Sequence, residues 1–147
     1  MTYCVGLKID RGLVFMSDTR TNAGVDSIST FRKMHVWEKP GDRVIVLMSA
    51  GNLATTQNVI SLLNGRAKRL EDRTMAVMET PSMYQTARLI GETVRTVIHE
   101  SVPTGQRADS YFNASFILGG QIRGSVPRLF MIYPEGNFIE STDDTPF

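Results

Sequence analysis

Met1-Thr2-Tyr3-Cys4-Val5-Gly6-Leu7-Lys8-Ile9 opens the chain. Tyr3, Val5, Leu7 and Ile9 alternate with Thr2, Cys4, Gly6 and Lys8, and a period of two reads as a strand. Asp10-Arg11-Gly12 makes a turn, and Leu13-Val14-Phe15-Met16-Ser17 returns as a second strand. A strand that begins at residue 2 has to be tied into a sheet, because free termini fray. A small Thr after Met1 favours removal of the methionine. Thr2 would then carry a hydroxyl and a free α-amine on one residue, a nucleophile with its own general base. The competing reading of Thr2 is a β-former at the start of a strand.

Working outward, 147 residues suit one domain, 1–147, with a sizeable core. The composition is ordinary, with 41% apolar and 21% charged residues and a net charge of +1. A basic excess for nucleic acid and a polybasic run for anionic lipid are both missing, so neither partner is expected. Apolar runs are short, which predicts no transmembrane segment, and the start lacks the pattern of a signal peptide. The expected location is cytoplasmic. Cys4 is the single cysteine, which excludes an intrachain disulfide and a cysteine metal cluster. It reads as a small buried apolar residue. His35 and His99 lack metal-ligand spacing and read as surface or packing residues. No metal and no cofactor is implied.

Asp18 to Ser27 is polar and turn-rich and reads as a long surface loop. Ser29 to Glu38 alternates loosely and reads as a strand or strand pair. Lys39-Pro40-Gly41-Asp42 is a turn, and Arg43 to Met48 is a strand buried on both faces. Ser49-Ala50-Gly51-Asn52 breaks that strand, and Asn52 is a credible N-cap. Leu53, Thr56, Val59, Ile60 and Leu63 predict a helix to about Leu70. A polar connection reaches Pro81. Ser82 can cap a second helix whose stripe is Met83, Ala87, Ile90, Val94, Val97, Ile98 and Ser101; that stripe reads as core or subunit interface. Pro103-Thr104-Gly105 ends it. Strands follow at Tyr111–Ile122, Arg128–Tyr133 and Phe138–Glu140, and the chain ends after the acidic turn at 142–146. Strands, two helices, then strands is the order of an α+β fold of antiparallel sheets with a helical layer. Nothing after the last strand covers the other sheet face, so the expectation is a chain that lacks its C-terminal layer.

Thr2, Asp18 and Lys33 belong together chemically. A terminal amine with a pKa of about 7.7–8.0 is largely protonated at neutral pH. A nearby lysine cation lowers that value and makes the amine a better base. A carboxylate would hold the lysine charged and in place. Adjacent antiparallel strands could bring all three to one sheet edge. The plainer reading of Asp18 and Lys33 is an ordinary ion pair, and that of Gly51 a tight turn.

The order of four segments resembles the proteasome β-type, N-terminal-nucleophile family, and its bacterial branch of proteasome-type proteases in particular. Met16 to Gly24 is similar to the family's Asp-x-Arg-x-x-x-Gly segment. Phe31-Arg32-Lys33 is similar to its lysine strand, and Ser49 to Ala54 to its small-residue turn into the first helix. Pro134-Glu135-Gly136 resembles its later hairpin turn. The resemblance implies a four-layer αββα sandwich, incomplete at the C-terminus here, and an N-terminal threonine peptidase. Thr2 would be nucleophile and base, Lys33 would tune the base, Asp18 would hold Lys33, and the Gly51 N–H would serve the oxyanion. Thr21 would pair its backbone with an extended peptide substrate, and Ser49 and Leu53 would form a side-chain pocket. The partners implied are a peptide or protein substrate and further copies of the chain in a ring or spiral, with an ATPase partner left open. The alternatives are a catalytically silent scaffold subunit, or an amidase of the same type acting on a small amide.

Overall fold

A computed structural model describes residues 2–22, 28–66, 76–101, 110–142 and 147. The Cys4–Ile9 strand (β1) and the Gly12–Ser17 strand (β2) form the expected hairpin, in register from Cys4↔Ser17 to Ile9↔Gly12. Tyr3 extends it, since the Asp18 N–H donates to Tyr3 O at 3.0 Å. The polar stretch read as a loop holds a strand. Arg20–Asn22 (β3) pairs with Ile28–Thr30 (β4) as a second two-stranded sheet. Its side chains carry no apolar alternation, and Thr21 and Ser29 hydroxyls 2.9 Å apart accompany the backbone ladder.

Five strands make the central sheet: Met34–Lys39 (β5), Arg43–Gly51 (β6), Ala114–Ile122 (β7), Arg128–Ile132 (β8) and Phe138–Glu140 (β9). All neighbours are antiparallel, in the order β5-β6-β7-β8-β9. The expected break at Ser49 is absent: β6 runs on to Gly51. Small residues do not end a ladder whose partner strand continues beside them. Tyr111, expected in β7, lies instead on a 3-10 turn at Ser110–Phe112.

Between β6 and β7 the chain forms Leu53–Arg66 (α1) and Met83–Ser101 (α2). Asn52 caps α1 through a 3.0 Å bond from Thr55 N–H, and Ser82 caps α2 through a 3.2 Å bond from Gln85 N–H. The α1 continuation towards Leu70, much of the polar connection, Pro103-Thr104-Gly105, most of the acidic turn, and Met1 lie outside the described residues. The predicted α2 stripe from Met83 to Ile98 is buried against Ile45, Leu47, Phe116, Leu118 and Phe130 of the sheet. It is core, and so does not supply a subunit interface.

The β1–β2 hairpin covers the opposite face of the sheet, with Leu13 and Phe15 packed on Val46, Met48, Ile117 and Leu129. Gly119 makes room there, because a Cβ on it would run into the Phe15 ring. The layers are thus helices, five-stranded sheet and hairpin. The outer face of the hairpin leaves Leu7, Ile9, Val14 and Met16 exposed. Phe147 bonds to Gly6 on the free edge of β1, its O accepting from Gly6 N at 2.7 Å. Among the described residues no helix is long and apolar enough to cross a membrane.

Candidate active site

Asp18 follows β2 directly, so the hairpin register sets it beside the start of β1. Its Oδ1 accepts from the Tyr3 N–H at 2.9 Å and from Lys33 Nζ at 2.8 Å. Its Oδ2 accepts from Lys33 Nζ at 2.9 Å and from the Arg20 N–H at 3.2 Å. Lys33 Nζ also donates to Arg20 O at 2.7 Å. The peptide that links Thr2 to Tyr3 therefore shares one carboxylate with the Lys33 ammonium. Lys33 is only 4% exposed, and a buried cation needs such partners. It sits one residue before β5, where its carbonyl accepts from Ser49 N–H at 3.0 Å.

The Lys33 ammonium and then the Tyr3 N–H hold the Asp18 carboxyl down, from 3.8 to about 2. A folded value below the unfolded one stabilises the fold above pH ~4, and that contribution fades as pH falls towards about 2. The expected result is a thermal midpoint that drops with acidification across this window, with a shallower drop in Asp18→Asn. Melting curves from pH 5 to about 2 measure it, and parallel curves for the two proteins would show that Asp18 contributes nothing.

Gly51 ends β6 instead of starting α1. The ladder that sends the Ser49 N–H to Lys33 O turns the Gly51 N–H to the same side, past the end of β5. Its φ of +114° favours glycine, and a Cβ would meet the Asn113 carbonyl and, at 2.9 Å, the Ala114 Cα. Thr2, Thr21, Lys33, Ser49, Gly51 and Leu53 all line one cleft of about 480 Å³. Asp18 stands behind it, on Lys33. Leu53, the first residue of α1, is 37% exposed at the cleft.

Thr21 differs from its expected role in one respect. The Phe31 N–H donates to Thr19 O at 2.7 Å, so Thr19 and Phe31 form a hydrogen-bonded pair. Two residues on, Thr21 and Ser29 form the next, and the Thr21 backbone points at β4. The backbones of Arg20 and Asn22 face the opposite edge. Thr21 lines the cleft, and Asn22 gives the β3 edge away from β4 its N–H and C=O. This parity depends on which pairs are hydrogen-bonded, and no residue type encodes it.

Cys4 is half-buried and its Sγ–H donates to Ser49 O at 3.7 Å. Burial pushes the thiol up, so it stays protonated. His35 lies on β5 next to Trp37, with ring centroids 6.4 Å apart, and His99 is exposed on α2. Among the described residues no group of three His, Cys, Asp or Glu could hold a metal ion. Sequence reasoning missed Tyr111, which also lines the cleft. The local signal was an aromatic pair, Tyr111-Phe112, set between Ser110 and Asn113.

The family model described as proteasome subunit matches residues 2–143. Among solved structures the chain is similar to a Gly-1 mutant of Anbu from Hyphomicrobium sp. strain MC1, at 51% identity and a TM-score of 0.87, covering 99% of this chain and 59% of that one. It is similar to Anbu, called an ancestral β-subunit, from Yersinia bercovieri, at 52% identity and 0.86, covering 97% and 57%. It is also similar to the Anbu complex from Pseudomonas aeruginosa, solved as a helical assembly, at 44% identity and 0.85, covering 97% and 58%. The chain spans under three-fifths of the length of each of these. No curated protein matches it. The chain belongs to the proteasome subunit family, and its fold is the proteasome-type N-terminal-nucleophile fold.

Proposed function

We propose that this proteasome-family chain is the nucleophile-bearing part of an N-terminal threonine peptidase. Removal of Met1 frees the Thr2 amine. That amine takes the hydroxyl proton as the Thr2 Oγ attacks a peptide carbonyl, and the carbonyl oxygen becomes an oxyanion facing the Gly51 N–H. Collapse breaks the C–N bond, and the ammonium returns its proton to the leaving amine. Water then attacks the Thr2 ester as the amine again takes a proton; the ester C–Oγ bond breaks, the ammonium returns that proton to Thr2 Oγ, and the acid product leaves. The single observation that carries the reading is the Asp18 carboxylate bridging Lys33 Nζ to the Tyr3 N–H, at 2.8 and 2.9 Å, beside the cleft that Thr2 lines. An extended substrate would add to the Asn22 edge of β3, with Thr21, Ser49 and Leu53 around its side chain.

The chain would act as one of several copies in an oligomer in the cytoplasm, enclosing a site that would otherwise threaten host proteins. The helical assembly of the Pseudomonas aeruginosa relative supports that view. Intact mass spectrometry of the turning-over protein tests the mechanism. The expected mass lacks Met1. A fully active protein that retains Met1 would exclude the amine as base, because an acylated amine accepts no proton. A full-length protein with Met1 removed and no turnover of any peptide would favour a silent subunit.

A further inference from the structure

We propose that Tyr111 is the specificity-determining side chain of this cleft, which selects peptides with a large apolar side chain, aromatic above aliphatic, and disfavours basic ones. The inference rests on the peptidase reading and adds the class of substrate. Tyr111 lines the cleft with Leu53 and Phe31, and yet it is 74% exposed. An exposed ring on a loose segment would pay heavily in ordering when it binds. This ring sits on an anchored one. The Tyr111 carbonyl accepts from Asn52 Nδ2 at 3.0 Å, and the Phe112 carbonyl accepts from Thr55 Oγ1 at 3.0 Å. The Phe112 ring meets Tyr111 edge-on, at 5.5 Å and 90°.

Asn52 ties this anchor to the chemistry. Its side chain also caps α1, and its N–H donates to Asn113 O at 2.9 Å. Gly51 precedes it in the chain. Asn52 therefore holds the Tyr111 backbone next to the Gly51–Asn52 peptide, and a substrate side chain that settles on the Tyr111 ring would set the carbonyl's place relative to Gly51. Aromatic pairs prefer offset or edge contacts and gain beyond area alone, which ranks an aromatic side chain above an aliphatic one. Charge argues the rest. The charged residues of the lining are Arg20 and Lys33, and no described Asp or Glu lines it. Asp18 is engaged by Lys33. A basic side chain would meet the like charge of Arg20 and Lys33, with no carboxylate among the described lining residues to receive it.

The test uses the full-length protein carrying Thr2→Ala, so that nothing is consumed, and fluorescent extended peptides that differ at one residue: Phe, Leu, Ala or Lys. Anisotropy gives each Kd. The Phe peptide is expected to bind about 10-fold more tightly than the Ala peptide, with Leu between and Lys weakest. Adding Tyr111→Ala should bring the Phe-to-Ala ratio to within about threefold, and Tyr111→Phe, which keeps the ring, should retain it. Tyr111 is exposed, so its truncation spares the core. A Phe-to-Ala ratio unchanged in Tyr111→Ala, or a Lys peptide bound as tightly as Phe, overturns this inference. If the Thr2 protein then still hydrolyses peptides, the peptidase reading survives it. Absence of both binding and hydrolysis for every peptide overturns the two together.

Discussion

Thr2→Ala in the full-length protein is expected to lower hydrolysis by at least three orders of magnitude or so while the fold persists. The substitution removes the attacking oxygen and leaves the amine, so positioning and electrostatics alone remain. Thr2 is exposed and precedes β1, so its side chain contributes no core burial, and a shift of more than about 0.5 kcal/mol in stability is not expected. Steady-state rates and a melting curve on the same preparation separate loss of chemistry from loss of structure. Thr2→Ser is the matched control, since it keeps the hydroxyl and the amine and should retain much of the rate. Near wild-type turnover in Thr2→Ala would move the chemistry to another group. Burial keeps the thiol of Cys4, two residues along the chain, protonated, so such a result would direct attention to the remaining hydroxyls of the cleft.

The order of strands and helices was legible because each carries its own period. The hairpin alternates, α2 repeats its stripe over five turns, and Asn52 and Ser82 announce the helix starts. The Asp18–Lys33 pairing was legible too, as two opposite charges on segments that the hairpin and β5 bring to one edge. What lay hidden was whatever depends on pairing across distance. β3 has no apolar signature, since its partner is a backbone ladder and the hydroxyl of Ser29. β6 reaches Gly51 because β7 runs alongside to Ala114. The Thr21 backbone turns towards β4 by ladder parity, which no local pattern reveals. Tyr111 reaches the cleft because Asn52, fifty-nine positions earlier, holds its carbonyl.

Lys33→Met separates a mechanistic lysine from a structural one. The Lys33 backbone keeps its bond from Ser49 N–H whatever the side chain, and methionine fills a similar apolar volume, so the strand pairing survives. What disappears is the cation that bonds to both oxygens of Asp18 at 2.8 and 2.9 Å. A positive charge beside an ammonium disfavours it, and each unit by which the amine pKa falls corresponds to about 1.4 kcal/mol. Without that charge the pKa of the Thr2 amine should rise, because Asp18 alone would favour its protonated form. The alkaline-rising limb of kcat/KM should therefore move up by about one pH unit or more. The rate at pH ~7 should fall by about tenfold or more on this account, with further loss from misplacement, and should partly recover at higher pH. Lys33→Arg keeps the charge but spreads it over a planar fork that does not fit a site built for a compact ammonium, so impairment with a smaller shift of the limb is expected. Rates measured from pH 6 to about 10, beside a melting curve, decide it. A pH profile unchanged in Lys33→Met with the fold intact would leave Lys33 as the structural partner of Asp18 and the proposed chemistry resting on Thr2 alone.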